Sequence, residues 1–441
     1  MIEKYLVKKI TEPVDWKVTV PGSKSMTNRA LLMAVLSAGT VRVEGVLFSD
    51  DSRHFLACLV ALGFTVEIEE EKKCVTVTGC GGRIPRGEAV IDVGSAGTAA
   101  RFLAAMLGFS DGCYEIRCSA QMKRRPMAEL FDLLSGVGAK ITFLEEEGHL
   151  PVRITGCRYA RADKTAGETP RELSLDITKS TQFLSALLLI APMVPEGMKI
   201  HITSEKTDGS YIRITRKMMQ EFGVSVAFDG RDYEVPCRSS YRKETYMVEP
   251  DMSAACYFYA AAAVTGGRAL VRHVHMDNTQ GDLRFLEVLE HMGCNADDTP
   301  EGVLVTGPAD GALRGITVNM NDFSDQALTL AAIAPFADAP VRIEGIGHIR
   351  GQECDRIHAI QTNLTALGIR CEEEETAATI YPGSPHGGSV ETYDDHRVAM
   401  AFSLVGLRTD GIVIENPACC RKTFENYFIL LSELTGKKTE A

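Results

Sequence analysis

The chain has 441 residues, 45% hydrophobic and 24% charged, which is enough apolar material for a core and enough length for two or more domains. Its net charge of −12, from 47 basic and 59 acidic residues, argues against a broad nucleic-acid surface, which needs a basic stripe to displace counterions. Thirteen cysteines, an odd number with no C-x-x-C pair, argue against a disulfide framework or a zinc ribbon.

A first strand is predicted from Tyr5 to Lys9, able to pair with either half of the chain. The N-terminal segment has no apolar stretch of signal-peptide length. The longest apolar run, Phe183 to Val194 with Pro192 inside it, is too short to span a bilayer. A soluble, cytoplasmic protein is expected, with no membrane partner. One pattern then recurs six times with a period of roughly seventy residues. It consists of a polar turn, a helix of small apolar residues, a Gly- or Pro-containing break, a short strand, a second helix and a closing strand. The copies open near residues 20, 92, 177, 248, 319 and 392, with PGSKSMTNRALL, DVGSAGTAARFL, ITKSTQFLSALL, VEPDMSAACYFY, NDFSDQALTLAA and YDDHRVAMAFSL. Five of the second helices end alike, at Leu62-Gly63, Val137-Gly138, Phe222-Gly223, Met292-Gly293 and Leu367-Gly368. Glycine there predicts a left-handed C-cap leading into the next strand. The six units group as three plus three, and RDYEVPCRSSYRKETY between copies three and four reads as an edge strand and crossing linker. Two similar lobes with a cleft between them suit closure on a small ligand.

The openings hold more than caps. Copy one has Ser23, Lys24, Ser25 and Arg29; copy two has Gly94, Ser95, Gly97, Thr98 and Arg101. Copy three has Lys179, Ser180, Thr181 and Gln182, and copy six has Asp395, His396 and Arg397. A hydroxyl before a helix is by itself only a cap worth roughly 1 kcal/mol. Cations placed beside the partly positive N–H groups of helix starts complete anion sites. Lys123, Arg124, Arg125, Arg356 and Lys422 add further cations near the second helices. An acidic chain that repeats this arrangement is expected to bind a small molecule with several negative groups. Asp325, Glu353 and Asp355 are the acid–base candidates, since neighbouring cations tune a carboxylate. PGSKS lacks the full phosphate-loop spacing, GSAGTA lacks the dinucleotide spacing, no G-x-S-x-G elbow exists, and His273 with His275 lacks a third ligand. No metal is expected.

Taken in order, PGSKSMTNRALL, SDDSRHFLACLVALG, GSAGTAARFL, KRRPMAEL, STQFLSALLL, YIRITRKMMQEFGV, DMSAACYF, SDQALTLA, ECDRI, YDDHRVAMAFSLVGL and KTFENYF resemble the 5-enolpyruvylshikimate-3-phosphate synthase family over essentially the whole length. The resemblance implies an α/β protein, a two-lobed inside-out barrel with three βαβαββ repeats per lobe. One lobe would span 21–246, the other 1–20 with 247–441, and the active site would lie in the cleft. It implies transfer of the carboxyvinyl group of phosphoenolpyruvate to the 5-hydroxyl of shikimate 3-phosphate by a monomer that needs no metal or organic cofactor.

By the same resemblance Lys24 touches both substrates, Ser25 and Arg29 hold the shikimate carboxylate, Ser180 and Thr181 hold the 3-phosphate, Gln182 lies between the substrates and Tyr211 near the shikimate ring. Gly97, Arg125, Arg356, Arg397 and Lys422 would bind phosphoenolpyruvate, forked guanidinium groups suiting planar anions. Asp325 corresponds to the base on the 5-hydroxyl and Glu353 to the acid near the methylene, with Lys24 and Lys422 as alternatives. Gly97 leaves room for glyphosate-like mimics. Four positions depart from the family pattern. His348 and Gln352 replace an asparagine and a lysine on the shikimate-phosphate side, Asp208 a serine with Ser204 or Ser210 as substitutes, and Ser95 an asparagine. A different acceptor such as a UDP-sugar is one alternative, although the relevant loop QMKRRP has no cysteine and Cys113 and Cys118 flank YEIRC instead. A non-catalytic anion-binding relative is another, against which Asp325 and Glu353 weigh.

Overall fold

The computed structural model describes residues 3–157, 169–308 and 312–436. The six opening helices are Lys24–Leu36, Gly97–Gly108, Thr181–Ile190, Met252–Thr265, Ala327–Ile333 and His396–Arg408, each in its predicted copy. They are apolar nearly all round: every residue from Gly97 to Gly108 is buried, as is every residue from His396 to Leu407. Such a helix is stable only with neighbours on all sides. The chain supplies them by dividing into two compact units, Gly22–Glu249 and Met1–Pro21 with Pro250–Ala441. Within each, three opening helices pack against one another, and each unit has its own hydrophobic core.

The second helices are Asp50–Ala61, Ala128–Gly136, Ser210–Glu221, Phe285–His291, Arg356–Ala366 and Tyr427–Leu434. They are one-sided: Ser210–Glu221 buries Ile212, Ile214, Thr215, Met218 and Met219 and leaves Arg213, Lys217 and Gln220 outward. The glycines that end the first five have φ between 83° and 103°, the left-handed cap the sequence predicts.

Each repeat contributes a small sheet, four-stranded except in the sixth, where it is three-stranded. In the second repeat Glu88–Asp92 runs parallel to Cys113–Arg117, which pairs antiparallel with Val152–Thr155, itself paired to Lys140–Phe143. The sequence pattern has neither the leading strand nor the second closing strand. Segments such as Thr317–Asn319 are too short to display a period-two alternation.

Four further strands refine the sequence reading. The first strand is Lys4–Leu6, and it completes the sixth sheet, antiparallel to Ile412–Glu415. The stretch read as an edge strand and crossing linker holds a strand, Asp232–Val235, but an interior one of the third sheet, and then the start of Thr245–Met247, which lies parallel to Thr40–Glu44 at the edge of the first. Asp15–Val18 likewise lies parallel to Arg268–Arg272 in the fourth sheet. The leading strands of repeats one and four are thus borrowed from distant parts of the chain. Among the described residues no helix is long and apolar enough to cross a membrane.

Gly406, in the last opening helix, lets Val7 approach: a Cβ there would sit 2.4 Å from Val7 Cβ, and the Val7 backbone is fixed by its bond to the Ile412 carbonyl. Gly406→Ala should destabilise the protein by about 1–3 kcal/mol through overpacking, although alanine is the better helix former. A lower urea midpoint of unfolding would show it.

Candidate active site

In the unit Gly22–Glu249 the openings present hydroxyls, glycines and cations. Ser23 and Ala96 stand at the N-cap positions of the first two opening helices without a side-chain capping bond, and Ser180 Oγ accepts from Gln182 N. At the first two of these helices the starting N–H groups are therefore available to an anion. Arg29 is buried, yet every side chain bonded to it is neutral. Its Nε donates to Thr215 Oγ1 at 2.8 Å, Nη1 to Ser25 Oγ at 2.5 Å, and Nη2 to Ser185 Oγ and the Tyr211 carbonyl, each at 3.3 Å. The Phe102 and Tyr211 rings flank it at 5.3 and 5.7 Å. Burial lowers the guanidinium pKa to about 10, partly offset by Tyr211, so Arg29 remains a cation at neutral pH and carries its charge without a carboxylate partner. Such a buried cation is best compensated by an anion brought from outside.

Nearby, Arg101 Nη1 donates to Gln182 Oε1 at 2.8 Å and to the Gly97 carbonyl at 3.2 Å, which fixes the direction of the Gln182 amide. Gly97 is hemmed in: a Cβ there would lie 2.4 Å from Arg125 Nη1 and 2.7 Å from Arg101 Nη1. Lys24 Nζ is 3.4 Å from Asp51 Oδ2. The turn at Gly209 lies beside Thr181, since a Cβ on Gly209 would meet Thr181 Cγ2 at 3.6 Å.

The unit formed by Met1–Pro21 and Pro250–Ala441 is organised around one guanidinium. Arg356 is buried, with Nε 2.8 Å from Asp395 Oδ2, Nη1 3.0 Å from Asp325 Oδ1 and Nη2 3.0 Å from Glu353 Oε2. Arg397 Nη2 donates to Asp325 Oδ2 at 3.0 Å. Lys422 Nζ lies 3.1 Å from Glu353 Oε1, an ion pair without hydrogen-bond alignment. Burial pulls the Arg356 pKa down, but Asp395, Glu353 and Asp325 together outweigh it and raise the pKa above the usual arginine range. Asp395 also caps its own helix by accepting from Arg397 N at 2.9 Å. Cys354 beside them stays a thiol, raised by burial and then by the Asp395 charge.

The family model for EPSP synthase (3-phosphoshikimate 1-carboxyvinyltransferase) matches residues 8–431. The chain belongs to the EPSP synthase family. It is 41% identical over 429 residues to a 3-phosphoshikimate 1-carboxyvinyltransferase from Trichormus variabilis, covering 97% of this chain and 98% of that one. It is 39% identical to another from Sulfurovum, covering 96% and 97%. In fold it is similar to EPSP synthase from Acinetobacter baumannii, with a TM-score of 0.78 at 24% identity over 98% of this chain and 97% of that one.

Within each unit, the family positions named from sequence fall into two groups. Lys24, Ser25, Arg29, Gly97, Arg125, Ser180, Thr181, Gln182 and Tyr211 belong to Gly22–Glu249; Asp325, His348, Gln352, Glu353, Arg356, Arg397 and Lys422 belong to the other unit. The departing residues have specific surroundings. His348 Nε2 shares a 2.8 Å hydrogen bond with Ser324 Oγ, next to Asp325. Gln352 is half-buried. Asp208 braces its loop, accepting from Arg213 Nη1 at 2.9 Å and the Tyr233 hydroxyl at 3.2 Å. Of the two substitutes for the missing serine, Ser204 is engaged with the Ile177 N–H and the Lys206 carbonyl, and Ser210 stands at the start of its helix. Asp51, behind Lys24, is a supporting residue that the sequence does not single out, since an acid in the first turn of a helix has no signature of its own; Arg101 and Asp395 stand at repeat openings as read, and the structure adds what each holds, Gln182 and Arg356.

Asp395→Ala removes a buried partner of Arg356 and a helix cap together. It should cost about 3–5 kcal/mol, against about 1 kcal/mol for the cap-only variant Ser180→Ala. Urea unfolding of the two variants compared with the parent would read the difference.

Proposed function

We propose that the chain transfers the carboxyvinyl group of phosphoenolpyruvate to the 5-hydroxyl of shikimate 3-phosphate and releases phosphate. The observation that carries this is the pairing of Asp325 with both Arg356 and Arg397 at 3.0 Å, in a chain 41% identical to a relative bearing that activity in its name. A substrate carboxylate bound to the two forked cations would take over the place of Asp325 on them. The freed carboxylate would then be able to accept the proton of the attacking hydroxyl.

The remaining charges support named roles. Arg29 with Ser25 suits the shikimate carboxylate, because Arg29 is a buried cation whose present partners are neutral. Ser180 and Thr181 at a helix start suit the 3-phosphate, with Tyr211 beside Arg29. Lys24, Gly97, Arg125 and Gln182 would receive the phosphoenolpyruvate phosphate side, Arg356, Arg397 and Lys422 its carboxylate and the departing phosphate. Glu353 faces two cations, which favour its ionised form; the proton at that place belongs to Lys422, 3.1 Å away. We therefore assign Lys422 as the donor to the methylene carbon and Glu353 as the group that orients it. Hydroxyl attack on C2 with protonation of C3 gives a tetrahedral adduct. Loss of phosphate and of one C3 proton then restores the double bond. The charge developing on the leaving phosphate is held by lysine and arginine, an electrostatic contribution that is usually the largest in such reactions.

His348 and Gln352 are read as tolerated variations on the acceptor side. The His348–Ser324 bond braces the turn that carries Asp325, a positioning task that an amide could also perform.

Phosphate release by the purified chain should require both phosphoenolpyruvate and shikimate 3-phosphate. Release with phosphoenolpyruvate and a different phosphorylated alcohol, and none with shikimate 3-phosphate, would overturn the acceptor. Asp325→Asn should lower kcat by about 10²–10⁴-fold with phosphoenolpyruvate binding retained. Gly97→Ala pushes a methyl toward the Arg125 guanidinium. It should raise the KM for phosphoenolpyruvate and weaken inhibition by compact mimics such as glyphosate, each by roughly tenfold, a loss of about 1.4 kcal/mol; inhibition curves on the two proteins would measure it.

A further inference from the structure

Beneath the Asp325 turn lies a second buried carboxylate that the proposed chemistry does not use. Asp282 sits in the 3-10 turn Gly281–Arg284 and is 7% exposed. The turn is tied to the start of the helix Met252–Thr265: Gln280 Nε2 donates to the Pro250 carbonyl at 2.7 Å, and its Oε1 accepts from Met252 N at 3.2 Å. The Asp282 carboxylate accepts from Ser253 Oγ and, at 2.9 Å, from Gln326 Nε2. Gln326 is wholly buried, and Thr329 Oγ1 donates to its Oε1 at 3.0 Å, so its amide orientation is fixed.

Both of these donors are neutral. Both reach the same oxygen, so the amide oxygen of an asparagine at 282 could accept from both, at a far lower cost of burial than a charge. A carboxylate in this position therefore calls for a role that needs the charge itself. The charged groups that act on it are Asp325, from the turn preceding Gln326, and Arg397, from the helix His396–Arg408. From the helix Met252–Thr265 the Cys256 thiol faces its backbone carbonyl at 3.7 Å and is held protonated by burial and by the Asp282 and Asp251 charges.

We propose that Asp282 is a positioning residue for the transfer: fixed by Ser253 and Gln326, its negative charge offsets Arg356 and Arg397 at Asp325 and keeps that carboxylate able to take up a proton. Even once a substrate carboxylate has taken its place on them, the two arginines stay beside Asp325 and favour its ionised form, which weakens it as a base. A like charge behind it works in the opposite direction. Burial, then the Asp325 charge, raise the pKa of Asp282 itself to about 6, so the offset is present at neutral pH and is lost as Asp282 takes up a proton in more acidic solution.

The inference rests on Asp325 being the base, so the test carries Asp325→Asn beside Asp282→Asn. In the isosteric Asp282→Asn the hydrogen bonds survive and the charge goes. Asp325 then titrates lower, so the acid limb of the kcat profile should move down by about one pH unit, and the plateau kcat should fall by about three- to tenfold. The KM for phosphoenolpyruvate should not rise. Ser253→Ala, which retains the carboxyl but weakens its ionised form, should move the limb the same way by a smaller amount, and it serves if the first variant does not fold. An unmoved limb in a folded variant of either kind, with Asp325→Asn inactive, overturns the proposal and leaves Asp282 a structural residue. If Asp325→Asn retains its turnover, the base assignment fails, and this inference fails with it.

Discussion

Arg356 is the point on which one unit is built. A guanidinium taken out of water is tolerable only if its charge and its donors are all answered, and here Asp325, Glu353 and Asp395 answer them. These acids come from the opening of the fifth repeat, the approach to its second helix and the opening of the sixth. One side chain thereby fixes three backbone segments that are far apart in sequence, and the same segments hold Arg397 and Lys422. Stability and chemistry share the same atoms: whatever displaces a carboxylate from Arg356 must be as negative and as planar as the group it replaces.

The two units solve opposite electrostatic problems. In Gly22–Glu249 the opening helices begin with neutral caps, and Arg29 is stabilised by hydroxyls, a carbonyl and aromatic rings. In the other unit the helices starting at Met252 and His396 begin with aspartate caps, and three acids balance three cations around Arg356. The first arrangement offers positive charge directly to an anion. The second offers it only in exchange for a carboxylate already in place.

Much of this was legible in the sequence because it rests on repetition. Six apolar opening helices and five glycines after second helices define a period that does not depend on any single residue, and the structure has φ between 83° and 103° at all five glycines. The cations and acids of the site were legible from their place at the repeat openings, but a role for each residue came only through motifs shared with a family. The short strands were not legible. Gly388–Val390 and Thr317–Asn319 have three residues each, and their strand character comes from the parallel neighbour rather than from their own side chains. Supporting groups were also hidden. Asp51 reads as an ordinary acid in the first turn of a helix, Asp282 as one more surface acid, and only burial distinguishes them.

The borrowed strands have a consequence for how the molecule comes into being on the ribosome. The segment Gly22–Glu249 holds all the partners of its own sheets, including Thr245–Met247, by the time it has been synthesised. Asp15–Val18 and Lys4–Leu6 emerge first but pair with Arg268–Arg272 and Ile412–Glu415, so they must wait while an entire unit is made. The chain's earliest strands are among the last to be used. Their short length and the charged side chains at Lys4, Asp15 and Lys17 keep those waiting edges from pairing with other nascent chains.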